Sequence, residues 1–182
     1  LTEGKPQVTD VISFRRSEAD VLRLAAALET GSSHPLATAI LARAAAEKLI
    51  LPQATDAKAV GGKGVSAMVD GAEIFLGSAK AVGERVPLSA GETIVITALN
   101  DQGKTVSVLL ANGLVAGAIA MRDEPRADAR AGLDALTDAG IKIVMLTGDN
   151  TRTATAIGKQ LGIEVRAELL PEDKQRIVGE LK

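Results

Sequence analysis

"IKIVMLTGDN", residues 141–150, decides the class of fold. Ile141, Ile143, Val144, Met145 and Leu146 form an apolar run interrupted only by Lys142. A strand of this composition is apolar on both faces, as strands buried in parallel sheets are. It ends in Thr147, Gly148 and Asp149, and "TRTATAIGKQLG" (151–162) follows with helical spacing. Upstream, "MRDEPRADARAGLDALTDAG" (121–140) predicts a helix of about a dozen residues ending at Gly140. Downstream, "IEVRAEL" reads as a short strand and "PEDKQRIVGELK" (171–182) as a helix. The order α-β-α-β-α is a doubly wound fragment with a parallel sheet.

The residues before this fragment follow a different period. "QVTDVISF" (7–14) alternates apolar and polar residues and reads as a strand. "SEAD" (17–20) is a capping box with Asp in its last place, leading a helix to about Glu29 and closing at Gly31. Pro35 suits the first turn of a second helix, with the preceding serines as caps and an end near Leu49. "AKAVGGKGVSAMVDGAEIFLGS" reads as three strands joined by a glycine turn and a "VDGA" turn, and a short helix covers 78–83. "TIVITALNDQGKTVSVLLANGLVAGAIAM" reads as three more strands, with turns at Asp101–Gly103 and Asn112–Gly113. Residues 7–118 are therefore expected to form an α+β domain, an antiparallel sheet with two helices beside it. The crossings near residues 6 and 119 are close-set strand ends, as where one domain is inserted into another.

Composition narrows the chemistry. Cysteine is absent and His34 is the single histidine, which excludes thiolate sites, cysteine nucleophiles and histidine clusters. Phe14 and Phe75 are the only aromatic residues, too few for a base-stacking platform. Twenty-one basic and 23 acidic residues are interspersed, so no basic stripe points to nucleic acid. No apolar run approaches the ~20 residues of a membrane span.

Four groups of residues could carry chemistry. Thr147 and Asp149 stand at the carboxyl end of a strand, before a helix N-terminus, where open sheets bind ligands and helix ends bind phosphate. Asn150 reads as the cap of that helix. Lys174, on the first turn of the last helix, could reach the same place and neutralise phosphate charge. Gly62 and Gly64 bracket Lys63 between two strands, where they serve either a hairpin bulge or a ligand lying against the backbone. Glu29 and His34 are five residues apart, and spacing alone does not separate a helix end and its cap from a binding pair.

"SSHPLATAI", "GGKGV", "FLGS", "RDEPRADA", "MLTGDN" and "LLPEDK", in this order and spacing, resemble the cytoplasmic ATP-binding region of heavy-metal-transporting P-type ATPases. The resemblance spans essentially the whole chain. It implies a nucleotide-binding domain over 7–118, inserted into a partial α/β, haloacid-dehalogenase-like (Rossmann-type) phosphorylation domain made of 1–6 and 119–182. It implies that Glu29 and His34 hold the adenine end of ATP, with Gly62, Gly64 and Gly77 lining the pocket. Thr147 would touch the transferred phosphoryl group, Lys174 would neutralise it, and Asp149 would position phosphates and Mg²⁺. Asp123 and Arg126 match a motif at the return crossing, where the hinge meets the phosphates.

The same resemblance implies that the chain is a piece of a longer protein. "LTEGKP" follows the family's phosphorylated Asp-Lys-Thr-Gly-Thr, so the nucleophilic aspartate is expected upstream of Leu1. A later Mg²⁺-holding motif is expected beyond Lys182. The partners would be ATP and the rest of the same pump, its actuator domain and membrane helices, with this region monomeric and on the cytoplasmic side of the plasma membrane. The piece should bind ATP without turning it over. Ser78 after Gly77, where copper pumps carry Asn, favours Zn²⁺, Cd²⁺ or Co²⁺ as cargo. Two alternatives are a haloacid-dehalogenase-type phosphatase with a large cap, which would need an Asp-x-Asp that the chain lacks, and a non-catalytic nucleotide-sensing module.

Overall fold

The hairpin Thr105–Ala111 (β5) and Leu114–Arg122 (β6) organises the larger part of the molecule. Asn112 and Gly113 turn it with φ of 49° and 73°, the left-handed pair that matches strand twist. Around it, in a computed structural model describing residues 1–180, lie Gln7–Ser13 (β1), Ala54–Val60 (β2), Gly64–Val69 (β3) and Ala72–Ser78 (β4). The sheet has the order β1-β6-β5-β4-β3-β2, and every pairing is antiparallel.

Both faces of this sheet are covered. Helices Glu18–Leu28 (α1) and Pro35–Ala46 (α2) bury Leu22, Ala26 and Ile40 against Ile74, Leu76, Leu109 and Ile119. Ala79–Gly83 (α3) and Ala90–Asp101 (α4) bury Val82, Ile96 and Leu99 against Phe75, Val108 and Leu110 on the other face. Alternate residues of β5 thus enter different cores, as a period of two requires.

Helix α4 corrects the expectation of a strand at 93–100, and of only two helices beside the sheet. Thr93-Ile94-Val95-Ile96-Thr97 is β-branched throughout, yet Ser89 and Glu92 form a full reciprocal capping box. The buried positions 92, 96 and 99 then follow helical rather than alternating spacing, and Ile94 is left outside. Glu92 is buried because Arg15 pairs with it. Burial alone would raise its pKa, but the Ser89 amide and the Arg15 guanidinium more than offset that and hold the carboxyl below its ordinary range.

A second correction concerns the start of α2. The cap is His34 itself: its Nδ1 accepts from the Leu36 amide at 3.2 Å. Ser32 acts one step earlier, its hydroxyl accepting from the His34 amide. At α1, Ser17 caps the Asp20 amide, while the Asp20 carboxylate turns to Arg16 and Arg23 instead of closing a box.

The remaining residues form Ala129–Asp138 (α5), Val144–Leu146 (β7), Thr151–Leu161 (α6), Glu164–Arg166 (β8) and Pro171–Glu180 (α7). The last two residues of the expected final helix, 181 and 182, lie outside the described residues. Strands β7 and β8 pair in parallel, as the doubly wound reading required. Strand β7 is three residues long and half-buried, not apolar-buried on both faces as expected, because β8 is its single partner among the described residues.

Two sets of contacts join the parts. Thr2 bridges Pro125, the Glu3 amide donates to the Glu124 carbonyl at 3.0 Å, and the Asp123 carboxylate accepts from the Gly4 and Lys5 amides at 3.1 and 3.2 Å. Elsewhere α6 packs on the end of α4. The fully buried Thr153 hydroxyl donates to the Lys104 carbonyl at 2.7 Å, and Arg152 pairs with Asp101.

Candidate functional site

The turn between α1 and α2 brings Glu29 and His34 together. Glu29 ends α1 and is half-buried; the Ser32 amide donates to its carbonyl at 3.0 Å. Burial lifts the Glu29 carboxyl above its ordinary value, and the Ser32 hydroxyl and His34 pull against that without cancelling it. A capping Nδ1 must be an acceptor, so the neutral ring carries its hydrogen on Nε2 and can donate it to a ligand. Pro35 at the first helical position fixes where the ring stands.

Glu29 and His34 line a cavity of about 380 Å³ together with Gly62, Gly64 and Gly77. The floor beneath is Val65 and Leu76 of neighbouring strands β3 and β4. All five residues assigned to the adenine end therefore border one space. The glycines also have a packing reason. Gly64 and Gly77 face each other across β3 and β4, and a Cβ on Gly64 would stand 2.1 Å from the Leu76 carbonyl oxygen. One on Gly77 would stand 2.4 Å from the Lys63 carbonyl oxygen. Gly62 turns the chain with φ 65°, and a Cβ there would meet nothing.

A second cavity, of about 270 Å³, adjoins the first, and His34, Leu36 and Thr105 border both. Asp123 and Asp149 also border it, as do Gly4 and Ile157. Asp149 is held by its neighbours. Thr147 Oγ1 donates to its carboxylate at 2.7 Å and accepts from its amide at 3.1 Å. The strand end is tied to the β8 side by Thr147 amide to Arg166 carbonyl, Leu169 amide to Thr147 carbonyl and Glu168 amide to Asp149 carbonyl bonds. Asn150 caps α6, accepting from the Thr153 amide at 3.0 Å, as expected.

Three expected residues stand apart. Thr147 borders neither cavity and meets the second one only through its hydroxyl bond to Asp149. Arg126 borders neither cavity: its guanidinium makes two bonds, 2.9 and 2.8 Å, to Asp128. Lys174 sits on the first turn of α7, half-buried, and also borders neither cavity. Conversely, Leu36, Thr105 and Ser107 line the cleft and were not singled out from the sequence.

The joined cavities form a cleft graded in chemistry. One end offers a carboxylate, an imidazole N–H and an apolar floor, which suits a flat heterocycle bearing an amine. The other end is acidic, with Asp123 and Asp149 together. Phosphates there require a cation, and Mg²⁺ commonly uses one or two carboxylates plus phosphate oxygens and water. Asp149 fits such a role. No group of three or more acidic or histidine side chains positioned to hold a metal occurs among the described residues.

Comparison with known proteins places the chain among relatives. The haloacid dehalogenase-like hydrolase family matches residues 1–182. A copper-transporting P-type ATPase of Rhizobium leguminosarum bv. viciae is 42% identical over 184 residues, covering 100% of this chain and 22% of that protein. A zinc/cadmium/lead-transporting P-type ATPase of Escherichia coli (strain K12) is 42% identical over 182 residues, covering 100% and 24%. Among solved structures, the catalytic domain of the CPx-ATPase CopB-B, described for its conformational changes upon nucleotide binding, aligns with a TM-score of 0.73 and 27% identity, over 100% of this chain and 62% of that one. The chain thus spans under a quarter of the length of these curated relatives. Among the described residues, no helix is long and apolar enough to cross a membrane.

Proposed function

The chain belongs to the haloacid dehalogenase-like hydrolases, and from that premise we propose that it is the ATP-binding cytoplasmic part of a P-type ATPase that exports heavy-metal cations. Residues 7–118 serve as its nucleotide-binding domain, and 1–6 with 119–182 as part of its phosphorylation domain. One observation carries the reading. Glu29, His34, Gly62, Gly64 and Gly77, far apart in sequence, border one cavity, and His34 also borders the adjoining cavity that Asp149 lines.

In this reading the adenine lies on Val65 and Leu76. Its exocyclic amine donates to Glu29, and His34 Nε2–H donates to a ring nitrogen. The phosphates run past His34 and Leu36 toward Asp149 and its partner Thr147; Asp149 would hold Mg²⁺, which would neutralise phosphate and carboxylate charge there. The γ-phosphoryl passes to an aspartate elsewhere in the pump, so this chain contributes positioning and charge, as phosphoryl transfer asks of a protein. Lys174 and Arg126 reach the phosphates only through movement of α7 and of the 123–128 segment, a hinge closure about the paired crossings. The rest of the same pump, its actuator domain and membrane helices, is the partner. The cargo assignment to Zn²⁺, Cd²⁺ or Co²⁺ rests on Ser78, whose hydroxyl also caps α3, while copper and zinc relatives match at the same identity.

The test is calorimetric titration with Mg-ATP of the parent, His34→Asn and His34→Ala. Asn keeps a capping side chain and removes the ring, whereas Ala removes both. Both variants should bind ATP at least several-fold more weakly, and only Ala should lose stability, by about 1 kcal/mol. Parent-like affinity in His34→Asn would refute the adenine assignment.

A further inference from the structure

The cleft contains a pair of hydroxyl groups that the adenine and phosphate assignments leave unused. Strand β5 places Thr105, Ser107, Leu109 and Ala111 on the face covered by α1 and α2. Leu109 and Ala111 are buried in the core there, while Thr105 and Ser107 are half-buried and line the cleft instead. The face changes from apolar to hydroxyl-bearing where the core gives way to the cavity.

Their position along the cleft is specific. Ser107 borders the cavity that holds Glu29 and the glycines, and Thr105 borders both cavities, opposite His34 and Leu36. Thr105 therefore stands between the heterocycle end and the Asp123–Asp149 end, and Ser107 lies about 7 Å from it along the strand. The neighbouring Ser78, in register with Ser107, spends its hydroxyl on capping α3. Thr105 and Ser107 make no comparable side-chain hydrogen bond among the described residues, so both hydroxyls are available as donor and acceptor.

Resting on the nucleotide reading, we propose that Thr105, assisted by Ser107, recognises the ribose hydroxyls of the bound nucleotide, making the site selective for ribonucleotides. A molecule with a heterocycle at Glu29 and phosphates at Asp149 must pass its sugar through the waist between the two cavities. Thr105 is the hydroxyl-bearing side chain at that waist. These are positioning contacts and take no part in bond making.

The experiment compares ATP with 2′,3′-dideoxy-ATP on the parent, Thr105→Val and Ser107→Ala, by calorimetry with Mg²⁺ present. Val keeps the β-branched shape of Thr and removes the hydroxyl. The parent should prefer ATP by about 3- to 10-fold, the range of one or two hydrogen bonds. Thr105→Val should lose most of that preference by weakening ATP while leaving dideoxy-ATP within twofold. Ser107→Ala should lose a smaller part, and its readout stands even if Thr105→Val fails to fold. Equal weakening of both nucleotides, or an undiminished preference in both variants, would overturn the assignment. A parent that binds both nucleotides alike would also overturn it while leaving the nucleotide reading intact, whereas a parent that binds neither would remove that reading and this one together.

Discussion

The six-stranded sheet and the β7–β8 unit are built on different amounts of core. Among the described residues, 32 of the 36 buried apolar side chains lie at or before Met121, and Leu133, Ala154, Leu161 and Ile177 serve the residues after it. Leu136, Ile141, Leu170 and Val178 of the smaller unit stay substantially exposed. The cleft draws one end from each region. Glu29, His34 and the glycines rest on a sheet packed on both faces, while Thr147 and Asp149 rest on a two-stranded sheet tied to its neighbour by loop hydrogen bonds. The Glu29–His34 end is thus held by packing, and the Asp149 end by backbone pairing and by the contact of α6 with α4.

Truncation of core residues is the strongest way to break this contrast. Leu109→Ala should cost about 2–5 kcal/mol in denaturant unfolding, since Leu109 is fully buried between sheet and helices. Leu133→Ala should cost less, near the bottom of that range or below it, because its surroundings are half-open. Equal costs would mean that the small unit is as tightly packed as the large one.

The glycines sharpen the contrast within the larger region. Gly64→Ala should destabilise by about 1–3 kcal/mol or more, because its Cβ collides with strand backbone that cannot swing away. Gly62→Ala should cost about 1 kcal/mol, from φ alone. A Gly64 variant as stable as the Gly62 one would show that the β3–β4 pairing at Gly77 is loose. It also follows that lost ATP binding in a Gly64 variant does not identify the site, whereas His34→Asn does.

Smaller effects come from two carboxylates with opposite shifts. Glu92 has its folded pKa lowered, so its stabilisation is present above the ordinary carboxylate value of about 4.3 and is lost as pH falls through the folded value. Glu92→Gln should flatten the acid limb of the stability curve. Glu29 has its folded pKa raised, so its contribution is full below the ordinary value and is lost as pH rises through the folded one. At neutral pH without ligand, Glu29→Gln should therefore unfold at a slightly higher temperature while binding ATP more weakly. A fall in both would make Glu29 a structural residue.

Much of this was legible from periodicity and punctuation. Alternation located β1, glycine and Asn–Gly turns delimited β2 to β6, and the apolar run before Thr147 identified the parallel unit. Helix α4 was misread because the β-branched run 93–97 outweighed the capping box at Ser89, although that box stood in the sequence as "SAGE". The cap of α2 stayed open between the two serines, the commoner caps, and His34 itself, and the structure gives it to His34. Motifs gave Glu29, His34 and the glycines as neighbours, which the cavity then grouped. Thr105 and Ser107 escaped notice because hydroxyls in an alternating strand read as ordinary solvent-facing residues, and the covering helices decide otherwise. Arg126 looked free to meet phosphate, and a local ion pair with Asp128 takes its guanidinium.

The most direct test of the account is an amide chemical-shift titration of the ¹⁵N-labelled chain with Mg-ATP. The expected result is a set of large shifts at Leu36, Gly62, Gly64, Gly77 and Thr105, extending to Gly148 and Asp149. Shifts confined to a surface away from both cavities, such as Lys159 to Ile163, would contradict the claim that this cleft is the nucleotide site.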